Sequence, residues 1–277
     1  MTKASTSDKR RAFRALHKSG CFVIPNPWNV GSARYLEGLG FKGIASTSSG
    51  HAHSQGLPDG AQSLEAVLAH YREIAASVDI PLNADFENGF AHEPDGVAKN
   101  VTRCIETGVA GLSIEDFGGD EKKPIYDIDA AVARVKAARA AIDKSGSEIV
   151  FTARAENFLH GHPDLDDTIR RLKAYSEAGA DCLYAPGLKA REQIEAVVRA
   201  VAPKPVNFLN SGAFGFTVAE IAAMGVRRIS VGGTLARVAM NAFINSARQI
   251  AEQGKFDSLG GIMPNAELNA FFDRYRP

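Results

Sequence analysis

The sequence is short of several features that would point to particular classes of protein. Its three cysteines, Cys21, Cys104 and Cys182, lie far apart among 277 residues. Three separated cysteines can form neither a disulfide framework nor a zinc cluster. No apolar run approaches the roughly 18 residues that a membrane-spanning helix requires. The basic N-terminal segment lacks the apolar stretch of a signal peptide, so we expect a soluble, cytoplasmic protein.

Net charge is absent as well. Lysine plus arginine and aspartate plus glutamate number 32 each, which gives a formal net charge of zero. A balanced charge offers no electrostatic attraction to nucleic acid or to an anionic membrane. We therefore expect a small molecule as the ligand. The remaining composition, 45% hydrophobic and 23% charged, is that of a globular protein with a large core.

A repeated pattern predicts the architecture. The segments 37–47, 106–116, 177–186 and 223–233 each contain the end of a helix, a glycine and an apolar strand. A left-handed glycine commonly closes a helix, and helices that alternate with apolar strands form βα units in a parallel sheet. We predict strands near residues 21–26, 43–48, 81–86, 111–116, 149–154, 182–186, 205–210 and 228–232. The predicted helices lie near residues 32–39, 63–78, 95–107, 127–144, 165–178, 189–201, 217–224 and 234–253.

Eight such units favour closure into a (β/α)8 barrel, with an open doubly wound sheet as the alternative. Barrels of about 200–250 residues are common as one domain, so we predict a single domain over residues 1–277. Residues 11–18 are expected to form an extra N-terminal helix. Residues 254–277 exceed what eight units need, and we expect a helical extension that packs within the subunit or on a neighbouring one.

Acidic side chains end two neighbouring predicted strands. Strand alternation places Asp85 and Glu87 on one face of strand 3, and Glu115 faces the same way from strand 4. Such carboxylates repel one another in a partly dry site, and a divalent cation would relieve the repulsion. We predict Asp85 as a direct ligand of Mg2+ (or Mn2+), with Glu87, Glu115 and Asp59 acting through bound water. Ordinary ion pairs at the rim of the strands are the alternative.

Arg154 ends strand 5, after an apolar run. A guanidinium group there suits a bidentate contact with a substrate carboxylate and stays charged at any relevant pH. The alternative is that Arg154 pairs with Glu156 or Glu115.

Further candidates for substrate binding follow strands 2 and 7. The turn formed by Ser48, Ser49 and Gly50 can present backbone N–H groups and a hydroxyl group to a second carboxylate. Strand 7 ends with the amides of Asn207 and Asn210.

These segments together resemble the isocitrate lyase/phosphoenolpyruvate mutase superfamily from about Phe22 to Val238. The matching segments are residues 24–50, 56–59, 83–90, 111–117, 151–158 and 225–233. The resemblance implies a barrel that binds Mg2+ and assembles as a homo-oligomer, a tetramer or a dimer, with an exchanged C-terminal helix. It matches Asp85 to the metal-binding aspartate, Arg154 to the substrate arginine and Trp28 to the lining of the pocket.

Two departures from the family narrow the expected reaction. The lyases carry a cysteine and a histidine in the loop after strand 4, whereas residues 118–131 contain neither. The related oxaloacetate decarboxylases have a histidine after strand 8, where this chain has Gly233. Cleavage of isocitrate or methylisocitrate is therefore not expected. Decarboxylation needs only a metal, an arginine and a proton donor, and Tyr184 is a candidate donor.

The sequence thus predicts a Mg2+-dependent carbon–carbon lyase or decarboxylase. Its substrate would be a small 2-oxo or 2-hydroxy acid that reacts through an enolpyruvate-like intermediate, with oxaloacetate decarboxylation as the first choice. Arg154, Glu115 and Tyr184 are the expected catalytic residues. A phosphonopyruvate or phosphoenolpyruvate P–C bond enzyme and a non-catalytic 2-oxo acid binding protein are alternatives. A phosphate cradle at Gly212 and Gly232 is a weaker one, and a Schiff-base aldolase is disfavoured because no lysine lies within the predicted strands.

Overall fold

The computed structural model of the chain describes residues 3–120 and 122–275. Its strands are β1 (Phe22–Ile24), β2 (Ile44–Ala45), β3 (Leu82–Asp85), β4 (Gly111–Glu115), β5 (Val150–Arg154), β6 (Cys182–Tyr184), β7 (Val206–Leu209) and β8 (Arg228–Ser230). Its helices are α1 (Thr6–Leu16), α2 (Val30–Gly38), α3 (Ser48–Ser54), α4 (Leu64–Ser77), α5 (Pro94–Ile105), α6 (Ile128–Lys144), α7 (Leu165–Glu177), α8 (Arg191–Val201), α9 (Val218–Ala223), α10 (Thr234–Gln253) and α11 (Asn265–Asp273), with a 3-10 turn at Asp257–Leu259.

The strands form one parallel sheet in the order β1-β8-β7-β6-β5-β4-β3-β2. β1 pairs with β8, so the sheet curls into a nearly closed barrel with the helices outside, and the predicted barrel is confirmed. Within the described chain, β1 and β2 share no ladder. Ala45 N donates to Pro25 O at 3.1 Å and Asn26 Nδ2 donates to Ser46 O at 2.8 Å across this seam.

The helix-closing glycines behave as the repeat predicts. The backbone of each adopts a left-handed conformation at the point where a helix turns back toward the sheet: Gly40, Gly108, Gly179 and Gly225. A residue with a Cβ atom is strained in this conformation, which is why glycine marks each helix end in the sequence.

Alternation along the strands separates the core from the site. On β4, Leu112 and Ile114 are buried in the apolar cluster between the sheet and the helices. Ser113 faces the barrel interior, beside Asp85 of β3 and Thr152 of β5. The parallel register therefore places residues from neighbouring strands at the same height inside the barrel.

Helix α1 is the extra N-terminal helix, and it begins earlier than predicted, at Thr6. Ser5 forms a reciprocal capping box with Asp8, which explains this earlier start. Phe13 is fully buried against Phe22 and lies close to Gly111. Helix α1 thus closes the amino-terminal end of the barrel, opposite the end where the strands finish.

The C-terminal extension is only partly covered by the rest of the chain. Helix α11 packs on α2, where the rings of Phe271 and Tyr35 are 4.6 Å apart and Tyr275 donates to Arg34 O at 2.8 Å.

Helix α10, which precedes this extension, has 20 residues, and of these only Ala236 is buried. The exposed apolar side chains of α10 include Leu235, Val238, Met240, Phe243, Ile244 and Ile250. A helix with so many exposed apolar side chains is typical of a protein interface.

Crossing a membrane would take a longer and more apolar helix than any found in residues 3–120 and 122–275.

We propose that the exposed face of α10 is covered by another copy of the chain. Val238 and Phe243 are 60% and 67% exposed, so replacing both by aspartate would place charge in the interface without disturbing the barrel core. We expect the wild-type chain to form an oligomer and the double variant to elute at the monomer mass of 29.6 kDa in light-scattering chromatography. The control is Val218→Asp, which alters a 50% exposed valine on α9 and should leave the oligomer intact. A monomeric wild-type chain would contradict the proposal.

Candidate active site at the barrel mouth

A pocket of about 180 Å³ opens at the carboxyl ends of the strands. The predicted residues that line it are Ser48, Ser49, Asp59, Asp85, Arg154, Tyr184 and Asn207. These come from five different strand ends and loops, and the barrel register brings them together. The location is the one at which (β/α)8 barrels carry their active sites.

Arg154 lies at the centre of the polar residues. Its Nη1 is 2.7 Å from Asp85 Oδ1, its Nη2 is 3.1 Å from Glu115 Oε2, and its Nε is 2.7 Å from Glu156 Oε1. Both ion pairs that the sequence left as alternatives, with Glu115 and with Glu156, are therefore present. Three carboxyl groups surround one guanidinium, so acidic side chains outnumber the cation that contacts them.

Burial controls the protonation of two of these carboxyl groups. It raises the pKa of Glu115 and that of Glu156, and the Arg154 guanidinium opposes the rise in both. Glu115 contacts Arg154 but does not line the pocket. Its predicted roles in catalysis and in metal binding would therefore be exerted through Arg154 or through water.

Asp85 is held by hydrogen bonds on several sides. Its N–H donates to Ser46 Oγ at 2.8 Å, and its Oδ2 accepts from the backbone N–H of Ser48 at 3.0 Å. The hydroxyl of Tyr71 donates to its carbonyl oxygen. The side chain is thus fixed at the edge of the pocket, with one oxygen toward Arg154 and the other toward α3.

Glu87 and Asp59 supply further negative charge beside Asp85. Burial, followed by the charges of Asp85 and Asp59, raises the pKa of Glu87 to about 7. Glu87 also adopts a left-handed backbone with φ of 44°, a conformation that is uncommon outside glycine and often found at functional sites. In the described part of the chain, neither Glu87 nor Asp59 forms an ion pair with a cationic side chain.

This donor set fits a divalent cation that takes few ligands from the protein. Carboxylate oxygens are the ligands that Mg2+ prefers, and it usually keeps several waters. Residues 3–120 and 122–275 hold no ready group of three His, Cys, Asp or Glu ligands. The assignment of Asp85 as a direct ligand, with Glu87, Glu115 and Asp59 acting through water, stays a prediction.

The segment after β2 differs from the prediction. The strand is shorter than the predicted residues 43–48, and α3 replaces the expected turn. Thr47 begins this helix because its Oγ1 accepts from Gly50 N at 3.2 Å. Ser48 and Ser49 consequently face the mouth.

Three predicted substrate-binding residues lie away from the mouth pocket. Trp28 and Gly50 line a neighbouring pocket between α3 and α10. Asn210 N donates to Ser230 O at 2.8 Å, and its side-chain oxygen is buried without a partner in the described residues. A direct contact with a ligand in the mouth would require rearrangement of the segment after β1 for Trp28, of α3 for Gly50 and of the loop after β7 for Asn210.

Tyr184 lies beneath Arg154, whose guanidinium carbon is 5.1 Å from the centre of the tyrosine ring. Burial raises the pKa of the Tyr184 hydroxyl, so the group keeps its proton. Next to it, Asn207 donates to Ser230 Oγ at 2.9 Å. Both side chains line the pocket below its rim.

A buried network behind the pocket was not predicted from the sequence as part of the site. Asp116 Oδ1 accepts from Glu156 N at 2.8 Å, and its Oδ2 accepts from Tyr175 at 2.5 Å and from Arg171 at 3.2 Å. This network fixes the backbone that carries Glu156, and Glu156 in turn holds Arg154. The only signal in the sequence is the spacing of Glu156, two residues beyond Arg154.

The sequence of residues 13–251 matches the profile of the phosphoenolpyruvate phosphomutase family. The chain belongs to this family. This match also confirms the expected resemblance, because the family is part of the isocitrate lyase/phosphoenolpyruvate mutase superfamily.

Individual relatives carry out several reactions. An oxaloacetate decarboxylase from Paraburkholderia xenovorans is 30% identical over 267 residues, which cover 90% of this chain and 84% of the relative. The solved structure of a candidate lyase/mutase from Burkholderia cenocepacia J2315 is 44% identical, with a TM-score of 0.92 and 96% coverage of both chains. A phosphonopyruvate hydrolase solved with oxalate and Mg2+ is 26% identical, with a TM-score of 0.85 and coverage of 96% and 95%. The family is therefore shown, and identities of this size leave the reaction of this chain open.

The Asp116 network leads to a prediction about stability. The variant Asp116→Asn keeps the size of the side chain but leaves Arg171 as a buried cation with one fewer carboxylate. We expect a loss of about 1–3 kcal/mol in the free energy of unfolding, the cost of removing one charged hydrogen-bond acceptor, because Arg171 keeps its ion pair with Asp167. Urea denaturation measures this loss.

The control is Asp127→Asn, which removes an exposed carboxylate paired with Lys123 and should cost less than about 1 kcal/mol. Equal stabilities of the two variants would show that the network does not support Arg154.

Proposed function

We propose that this protein is a Mg2+-dependent enzyme that breaks a carbon–carbon bond to the carbon next to the carbonyl group of a small 2-oxo acid. One observation carries the proposal: Arg154 and the fixed carboxylate of Asp85 face the same pocket, amid more acidic groups than Arg154 neutralises. In this arrangement the acidic groups would bind a divalent cation, and Arg154 would bind an anionic substrate beside it. The similarity to an oxaloacetate decarboxylase and to a phosphonopyruvate hydrolase solved with Mg2+ supports it.

Asp85 would hold the metal ion directly, with Glu87, Glu115 and Asp59 acting through water. Once bound, Mg2+ or Mn2+ would supply Lewis-acid stabilisation of negative charge on substrate oxygen. The oxalate in the related hydrolase is a planar dianion that resembles the enolate of pyruvate. Its presence in a relative supports a substrate that passes through such an enolate.

The chain's own residues would bind and orient the substrate. Ser48 and Ser49 present hydroxyl groups at the pocket edge for a carboxylate. Arg154 would stabilise the charge that develops on the 2-oxo oxygen as the bond breaks, a preorganised effect that costs little reorganisation. Its contacts with Glu115 and Glu156 keep the guanidinium in place before the substrate arrives.

Tyr184 is the proposed proton donor. Its side chain is among those that line the pocket, and burial raises the pKa of its hydroxyl, so the group keeps its proton. When the bond breaks, an electron pair remains on the carbon next to the carbonyl group. Tyr184 would donate its proton to that carbon and recover it from water after the product leaves.

A second candidate is cleavage of the P–C bond of a phosphonopyruvate-like acid. The similarity to the phosphonopyruvate hydrolase favours it, and the same metal, arginine and pocket would serve. Binding of a 2-oxo acid without turnover is the third candidate.

Incubation of the purified protein with oxaloacetate tests the proposal. We expect Mg2+-dependent, EDTA-sensitive formation of pyruvate and CO2 above the spontaneous rate. Asp85→Asn should abolish the enzyme-dependent part, because the amide cannot replace the carboxylate as a ligand. The control Asp127→Asn alters an exposed carboxylate away from the pocket and should leave the rate unchanged.

Failure to turn over oxaloacetate, with phosphonopyruvate cleaved instead, would establish the second candidate. A rise in melting temperature on addition of 2-oxo acid and Mg2+, without any product, would establish the third.

The role of Tyr184 predicts a specific kinetic change. Tyr184→Phe keeps the ring beneath Arg154 and removes only the hydroxyl group, with the proton it carries. We expect kcat to fall about a hundredfold or more while KM changes little, because general acids contribute at that level. Steady-state kinetics at saturating Mg2+ measure the change. An unaltered kcat would exclude Tyr184 as the donor.

A further inference from the structure

Arg228 is a buried arginine that forms no ion pair with any carboxylate among the described residues. It lies on β8, is 3% exposed and lines the floor of the mouth pocket. The ion pairs among the described residues all involve cations other than Arg228. A buried charge without a counterion is costly, and proteins normally pair or neutralise such groups.

The groups around Arg228 are neutral hydrogen-bond acceptors. Its Nε donates to Asn207 Oδ1 at 2.8 Å, its Nη2 to Thr152 Oγ1 at 3.1 Å, and its Nη1 lies 3.4 Å from His17 Nε2. Burial, with Arg228 as the next cause, lowers the pKa of His17 to about 3, so the imidazole is neutral. The nearby thiol of Cys182 is neutral too, because burial raises its pKa. The positive charge of Arg228 is therefore not balanced locally.

The floor and the mouth are separated by about the length of a small diacid. On β5, Thr152 precedes Arg154 by two residues, which corresponds to roughly 6–7 Å along a strand. Arg228 contacts Thr152, whereas Arg154 contacts Asp85 at the rim. Two guanidinium groups thus lie at two depths of one pocket, and only the upper one is surrounded by carboxylates.

Polar and apolar side chains both line the pocket between these depths. Asn207 and Ser230 lie beside Arg228, and Asn83 and Ser113 line the opposite wall, with Ile24 and Ala45 at the same level. Asn83 Oδ1 is buried without a partner in the described structure, which indicates a position for ordered water or for a ligand donor. The polar groups are thus available to a charged or hydrogen-bonding part of a ligand.

We propose that Arg228 forms an anion subsite at the pocket floor, which binds the distal carboxylate of a dicarboxylic 2-oxo acid. This inference rests on the proposed function, since the 2-oxo end is taken to lie at Arg154. The subsite makes the substrate class dicarboxylic: a monocarboxylic 2-oxo acid of equal length leaves Arg228 without its counterion. Asn207 and Thr152 orient the guanidinium and thereby set the direction of the bound carboxylate.

Binding of two matched acids tests the subsite without any turnover. 2-Oxoglutarate and 2-oxopentanoate have the same chain length and differ in the distal carboxylate. Titration calorimetry with Mg2+ should show that the wild-type protein binds 2-oxoglutarate about ten- to a hundredfold more tightly, the range of one charged hydrogen-bonded contact. Equal affinities for the two acids would overturn the proposal.

Variants locate the preference at Arg228. Arg228→Met should reduce the affinity for 2-oxoglutarate to that for 2-oxopentanoate and leave the latter unchanged. Arg228→Lys keeps the positive charge and should retain a weaker preference for the diacid. This variant shows whether the charge itself, and not a general loss of folding, sets the preference. The control Arg227→Met removes the neighbouring arginine, which contacts Gly20 O outside the pocket, and should preserve the wild-type preference. The assignment would be overturned if a folded Arg228→Met variant still preferred the diacid. It would also be overturned if Arg228→Lys lost the binding of both 2-oxo acids.

The two proposals fail in distinguishable ways. A diacid preference without turnover of oxaloacetate or phosphonopyruvate would retain the subsite and remove the proposed reaction. Turnover without a diacid preference would retain the reaction and remove the subsite.

Discussion

The contact between Arg154 and its three carboxylates organises the mouth of this barrel. Asp85, Glu115 and Glu156 come from neighbouring strands or strand ends, and each would repel the others without the guanidinium between them. The parallel register makes the contact possible, because it pairs Glu115 with Arg154 and Arg154 with Tyr184. The proposed metal ligand, Asp85, and the proposed proton donor, Tyr184, are thus both positioned relative to one side chain.

Most of the fold could be predicted because its signals are local. A glycine closes each helix before a strand, and the alternation of strands gives their inward faces, so the predicted strands overlap all eight observed ones. Helix α3 was missed because SSGHAHS has no apolar periodicity and begins through the hydroxyl of Thr47. The open seam between β1 and β2 has no local signal either, since it depends on how the whole sheet closes.

The site was predictable to the extent that strand ends define it. Asp85 was predicted from alternation, and Arg154 and Tyr184 from their positions at strand ends; all three line one pocket. Trp28 and Gly50 were assigned to the same pocket, but they line the neighbouring pocket beside α10. Arg228 was overlooked because an arginine inside a short strand is indistinguishable in sequence from one that faces solvent. Its significance depends on the absence of a carboxylate across the barrel, which only three-dimensional packing reveals.

The seam between β1 and β2 has a consequence for the evolution of substrate choice. The segment that carries Ser48 and Ser49 leaves the sheet at this seam, where a single backbone hydrogen bond, Ala45 to Pro25, joins the strands. A lineage can therefore lengthen, shorten or replace this segment while the other seven strand pairings stay intact. Changes in the segment after β2 would therefore disturb the barrel least, which suits a family whose members share one barrel and differ in chemistry.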